Sequence, residues 1–230
     1  MLAQGRAMLV TEDPPTIQLP YEVDLPLGRQ RTEEEKIGDG RSILLHICCG
    51  PCSTYAIKRL REEGFRVSGL WYNPNVHPFS EHERRLASLE SYVGSVDLPL
   101  IGEEGYDMLQ FLRVVVGHET YGERCRLCYE MRLTRTAEVA ARDGFDAMTT
   151  TLLISPHQDQ GLIREIGEAV AQKQGVAFHF ENLRRGWSER GRMTREHKLY
   201  RQQYCGCIYS EWERHAGVNI AETLSELRDG

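Results

Sequence analysis

The chain of 230 residues predicts an α/β protein built on a doubly wound, mostly parallel sheet with a C-terminal helical segment. Three observations carry that expectation. Short apolar runs without clean alternation recur along the chain, as suits strands covered on both faces. Longer amphipathic stretches separate them, which makes right-handed crossovers the natural connection. After the first run the sequence reads LLHICCGPCS, residues 44–53, placing three cysteines at the turn where such sheets gather ligands.

The elements follow in order. Residues 42–47, SILLHI, form the first expected strand. Pro51 then fits the first turn of a helix, because its missing N–H would have no intrahelical partner there. Tyr55, Ala56, Ile57 and Leu60 give that helix an apolar face, and Gly64 offers a stop. Cys49 and Cys52 are thereby placed at a helix N-terminus, where unpaired N–H groups and the positive end of the macrodipole stabilise thiolates or an anionic cluster. Residues 65–73 read as the second strand, 80–94 as a helix and 97–101 as a short third strand. Residues 122–144 predict a long helix with Cys125 and Cys128 on one face near its start. Residues 145–153 predict a fourth strand, 159–175 a helix and 176–180 a fifth strand. The loops CCGPC, NPNVHP and SPHQD, after the first, second and fourth strands, are then expected to converge on one crevice.

Residues 1–40, with four prolines, eight acids and four basic residues, read as an N-terminal extension. Residues 41–215 read as a metal-binding catalytic domain and 216–230 as a helical tail. The composition, 40% hydrophobic and 27% charged, is that of a soluble globular protein. Neither a leader pattern nor a long apolar run is present, so a cytoplasmic location without a membrane partner is expected. In a reducing compartment, clustered cysteines are more often metal ligands or catalytic groups than disulfides.

All seven cysteines fall in three groups: Cys48, Cys49 and Cys52; Cys125 and Cys128; Cys205 and Cys207. An odd total argues against a closed disulfide framework, and seven exceeds the four that one tetrahedral zinc or one iron–sulfur cluster takes. Iron–sulfur ligation with a second metal on the surplus thiols is the favoured reading. A structural zinc held by the CxxC and CxC pairs, with inert cysteines elsewhere, is the alternative, and a redox-active dithiol is a further one. Residues 183–201 carry seven Lys or Arg against two Glu in a chain whose net charge is −6, with Trp187 and Tyr200 interleaved. That pattern suits a solvated helical face or a polyanion that stacks its bases, with Arg184, Arg185, Arg192 and Arg195 as phosphate contacts.

Taken together, HICCGPC, YNPNVHP, RCRLCYEMRL, TTTLLISPHQD and LYRQQYCGC, in this order and spacing, resemble the QueH family of epoxyqueuosine reductases over about residues 42 to 210. The resemblance implies a fold like the nucleotide-binding α/β domains of ATP-pyrophosphatase type. It also implies a 4Fe-4S cluster with an adjacent metal, read as a second iron, and reduction of epoxyqueuosine at the wobble base of tRNA. Four thiolates for the cluster and three for the second metal would use all seven cysteines, although an Asp or His ligand would change the division. No GxGxxG and no P-loop pattern occurs, which argues against a nicotinamide cofactor and ATP and leaves a small electron-donor protein or reductant as the source of electrons. Asp107 and Asp159 are candidates for proton delivery or metal contact, unless they merely cap helices. Tyr129, Arg132 and Tyr204 are candidates to stack on or pair with the substrate nucleotide. His46 is expected either to orient a ligand or to be a satisfied core residue.

Overall fold

The computed structural model describes residues 40–102 and 105–229. The expected extension over 1–40 therefore lies outside the described residues, apart from Gly40. In chain order the elements are β1 (Ser42–His46), α1 (Gly50–Glu62), β2 (Arg66–Trp71), α2 (Phe79–Ser95), β3 (Leu100–Gly102), α3 (Met108–Val115), α4 (Glu123–Arg142), β4 (Ala147–Thr150), α5 (Gln160–Gln174), β5 (Ala177–Phe178), α6 (Trp187–Glu196), α7 (Ile208–Ala216) and α8 (Ile220–Asp229). Short 3-10 turns at Thr151–Ile154 and Leu183–Gly186 precede α5 and α6.

The five strands form one sheet in the order β3-β2-β1-β4-β5, and every pairing is parallel. β1 is central and buried at all five positions, which is why SILLH reads as a continuous run rather than an alternation. Right-handed crossovers place α1 and α2 on one face and α4 and α5 on the other. The packing agrees: α1 lies against α2 and α6, and α4 lies against α5. The strand order therefore changes direction at β1, and the crevice beyond its carboxyl end is the topological switch point.

Several boundaries differ from the sequence expectation for local reasons. β4 stops at Thr150 because its hydroxyl accepts from Leu152 N at 3.1 Å and turns the chain into the 3-10 segment. β3 begins only at Leu100, after Pro99, which has no N–H for the ladder. β5 shrinks to two residues, although His179 N still donates to Met148 O at 2.9 Å. α5 ends as expected at Gly175, whose φ of 71° is the left-handed conformation that favours glycine. No helix among the described residues is long and apolar enough to cross a membrane.

Candidate metal centre

The first cysteine group sits where β1 runs into α1. Cys49 is the N-cap of α1 without a side-chain capping bond, and Pro51 occupies the first turn. The sulfurs of Cys48, Cys49 and Cys52 all lie within 4.8 Å of one another, with Cys48 Sγ 3.8 Å from Cys49 Sγ. Hydrogen bonds from Cys49 and Cys52 hold the Cys48 thiol well below its ordinary value, helped by Arg132 and by the Thr151 hydroxyl at 3.2 Å. Burial, together with Cys48, pushes the Cys49 thiol up to about 12, and Cys48 pushes Cys52 up as well. A cation that binds the triad displaces the protons its sulfurs still carry.

The other four sulfurs approach from α4 and from the chain before α7. Cys125 and Cys128 lie in the first turns of α4, and Cys207 is the N-cap of α7, its sulfur accepting from Ser210 N at 3.4 Å. Each cysteine group thus reaches the N-terminus of a helix of eight or more residues, where anionic sulfur is stabilised. The Cys128 thiol is pushed up to about 12 by burial, and Cys205 and Cys207 raise it further. Cys128 and Cys207 are buried, Cys125 is half-buried, and Cys205 is exposed.

A polar floor joins the groups. Arg132 donates from Nε to His46 Nε2 at 3.2 Å and from its two terminal nitrogens to Cys128 Sγ at 3.7 Å and Asn73 Oδ1 at 2.8 Å. Because His46 Nε2 accepts, its proton is on Nδ1, facing Thr150 Oγ1 at 2.8 Å. Burial first, then Arg132, lowers His46 to about 3, so the ring is neutral. Asn73 Nδ2 donates to Ile47 O at 2.8 Å, and Cys48 N to Thr151 Oγ1 at 3.0 Å. The turns after β1, β2 and β4 are therefore bonded to one another, as the sequence predicts.

α6 and the residues after it form the roof, with Gln158 meeting it from the turn before α5. Gln202 Nε2 lies 3.0 Å from Cys49 Sγ, Arg190 reaches Cys52 Sγ at 3.8 Å, and Gln158 Nε2 meets Cys205 Sγ at 3.5 Å. Arg85 binds the carbonyls of Cys205 and Tyr204 at 2.8 and 3.0 Å, and Gly206 O accepts from His77 N at 2.8 Å. Sequence reading misses Arg85 and Arg190, which lie in none of the five motifs, and Thr151 and Gln202, which lie within TTTLLISPHQD and LYRQQYCGC but are not marked there by residue type or spacing.

The remaining candidates divide. Asp107 and Asp159 are helix N-caps, accepting from Gln110 N at 3.1 Å and Leu162 N at 3.0 Å, so their carboxylates are committed to α3 and α5. Tyr129 is buried, donates to Gln158 Oε1 at 2.8 Å, and is raised well above the ordinary tyrosine range by burial and by Cys125. Arg132, expected at a nucleotide, is 2% exposed and points to the thiols instead. The Tyr204 hydroxyl bonds His77 O, and Arg85 stacks 5.6 Å from its ring. Arg184 is not a free phosphate contact, since its guanidinium binds the carbonyls of Ser155 and Gln158. Arg192 is exposed but paired with Glu196 at 2.6 Å, whereas Arg185 and Arg195 are exposed.

Comparison with known proteins gives consistent matches. A family model described as Epoxyqueuosine reductase QueH matches residues 43–213. The epoxyqueuosine reductase QueH of Dehalococcoides mccartyi is 42% identical over 177 residues, spanning 77% of this chain and 96% of the relative. That of Thermotoga maritima is 34% identical over 188 residues, with the same 77% and 96% coverage. A crystal structure described as a predicted subunit of tRNA methyltransferase from Methanocaldococcus jannaschii is similar over 68% of this chain and 76% of that one, with a TM-score of 0.46 and 12% identity.

Proposed function

The chain belongs to the QueH family of epoxyqueuosine reductases, and from that premise we propose that it reduces epoxyqueuosine to queuosine at the wobble base of tRNA through a 4Fe-4S cluster and a second iron held by its cysteines. It is an oxidoreductase of queuosine biosynthesis. The observation that carries the cofactor reading is the convergence of three cysteine groups, each at a helix N-terminus, over the buried cation of Arg132.

Turning the epoxide into an alkene takes two electrons and two protons and releases the oxygen as water. An iron–sulfur cluster held by these cysteines would supply electrons, and a second iron there would act as a Lewis acid toward the epoxide oxygen. The side chains do the rest. Cys48, Cys49, Cys52, Cys125, Cys128, Cys205 and Cys207 form the ligand set, and the three helix termini stabilise its negative charge. Tyr129, kept protonated by burial and by the nearby thiols, donates to Gln158, which in turn meets Cys205 Sγ, so it positions the wall of the site beside that cysteine. Arg190 and Gln202 shield the triad from water. Arg185 and Arg195, exposed on the basic segment, hold tRNA phosphates, and a small redox protein or reductant delivers the electrons.

The test is elemental and chemical. Protein purified without oxygen should carry about four or more irons with acid-labile sulfide per chain and convert epoxyqueuosine in tRNA. A colourless zinc protein that takes up no iron on reconstitution would overturn the redox reading in favour of a zinc-stapled tRNA-binding module.

A further inference from the structure

Among the described residues three arginines lie in the interior, Arg85 at 1% exposure and Arg124 and Arg132 at 2% each. Two of them have carboxylate partners: Arg85 Nε pairs with Glu81 at 2.8 Å, and Arg124 pairs with Glu213. Arg132 has none among the described residues. Its fork is spent on a neutral imidazole, a neutral amide and a sulfur. A guanidinium does not give up its proton in a protein, so this is a full charge held away from water without a counter-ion of its own. Burial works against that charge, and the thiols of Cys128, Cys48 and Cys205 more than offset it. Those sulfurs come from α4, from the β1–α1 turn and from the roof, so Arg132 faces all three cysteine groups.

Resting on the iron–sulfur reading above, we infer that Arg132 is the built-in counter-cation of the metal centre, a positioning residue whose charge balances the anionic cluster and sets its reduction potential. Reduction adds one negative charge to the cluster. A fixed cation in a poorly screened interior favours the reduced form and raises the potential, which lets a weaker donor load the site.

Arg132→Gln removes the charge but keeps an amide to donate toward His46 or Asn73. Arg132→Lys keeps the charge but loses the fork. Asn73→Asp leaves Arg132 in place and gives it a carboxylate of nearly the same shape at the atom now 2.8 Å away. The full-length proteins are reconstituted without oxygen, checked by circular dichroism and iron content, and titrated potentiometrically against their visible and paramagnetic-resonance signals. The midpoint potential should shift negative in both Arg132→Gln and Asn73→Asp, with Arg132→Lys staying nearer to wild type. A folded Arg132→Gln that loses iron while Arg132→Lys keeps it supports the same role. Potentials unchanged in Arg132→Gln and Asn73→Asp, or shifted equally in the Gln and Lys variants, would reduce Arg132 to a structural hydrogen-bonding hub. Should Arg132→Gln not fold, Asn73→Asp alone decides by the same criterion. Wild-type protein that takes up no iron would overturn the underlying cofactor reading, and this inference with it.

Discussion

Gln202 Nε2 lies 3.0 Å from Cys49 Sγ although 153 residues of chain separate the two. That approach requires the segment after α6 to fold back over the carboxyl end of β1, and Arg190 on Cys52 and Arg85 on the Tyr204 and Cys205 carbonyls fix it there. Cys205→Ser should therefore lower iron content and turnover while the far-ultraviolet circular dichroism stays near wild type, because the sheet and its helices are built from the chain before Phe178. Full iron with full turnover would remove the Cys205–Cys207 pair from the site. Complete unfolding would instead assign it a metal whose binding energy supports the fold.

The basic segment separates into two kinds of arginine. Arg184 ties Ser155 and Gln158, so Arg184→Ala should cost stability, by roughly 1–3 kcal/mol for the part-buried charge-assisted bonds lost, with little change in the salt slope of tRNA binding. Arg185→Ala with Arg195→Ala should leave stability alone and weaken tRNA binding. The slope of log K against log salt should fall by about one for each phosphate that is no longer neutralised. Equal slopes for the double variant and wild type would return these residues to a solvated face.

Three buried histidines predict an acid limit. Burial lowers His46 to about 3 and His77 to about 4 from an ordinary 6.5, and lowers His82 too. The folded state keeps them neutral while the unfolded chain takes up protons, so their contribution is complete above pH 6.5 and is lost as the pH falls below it toward the folded values. Between pH 7.5 and 5.5 each fully shifted histidine removes about 1.4 kcal/mol. Urea unfolding of chelator-treated protein should show roughly 3 kcal/mol less stability at pH 5.5 from His46 and His77 together. Undiminished stability there would mean that these rings are protonated in the fold.

Much of this architecture is legible from local pattern. The unbroken apolar run at 42–47, Pro51 one turn into its helix, and paired cysteines at helix starts each state their own structure, because strand burial and helix entry are decided within a few residues. β5 is shorter than the apolar run at 176–180 implies, because its ladder with β4 stops at the Met148–Phe178 pair, two residues before β4 itself turns at Thr150. The sequence reading passes over α3, although Met108, Phe111, Leu112 and Val115 recur at helical spacing behind the Asp107 N-cap and bury Phe111 and Val115. Arg132 reads as a contact for the substrate nucleotide because it follows the cysteine pair on its helix, while its burial is fixed by His46 and Asn73, which are 86 and 59 residues away. Asp107 and Asp159 are open to both readings in the sequence, because a capping aspartate and a catalytic one have the same local sequence, and the structure places one oxygen of each at a helix N-terminus.

The docking of the roof on the sheet layer turns on one small residue. Gly186 lies between the 3-10 turn and α6, and its φ of −87° is one that alanine adopts without strain. The obstacle is space, since a Cβ there would come within 2.2 Å of Tyr55 Cδ1 and Cε1 on α1, closer than two carbons can approach. Gly186→Ala must therefore push α6 away from α1 or force the half-buried Tyr55 ring out of its rotamer. We expect a loss of about 1–3 kcal/mol in urea unfolding, as for other overpacked sites. Because Arg190 rides on α6, iron retention against a chelator should fall as well. Tyr55→Ala supplies the control. If the clash is the cause, Gly186→Ala should cost much less in the Tyr55→Ala background than alone, giving a coupling well above the few tenths of a kcal/mol seen for independent sites. Equal costs in both backgrounds would mean that Gly186 is needed for something other than the room it gives Tyr55.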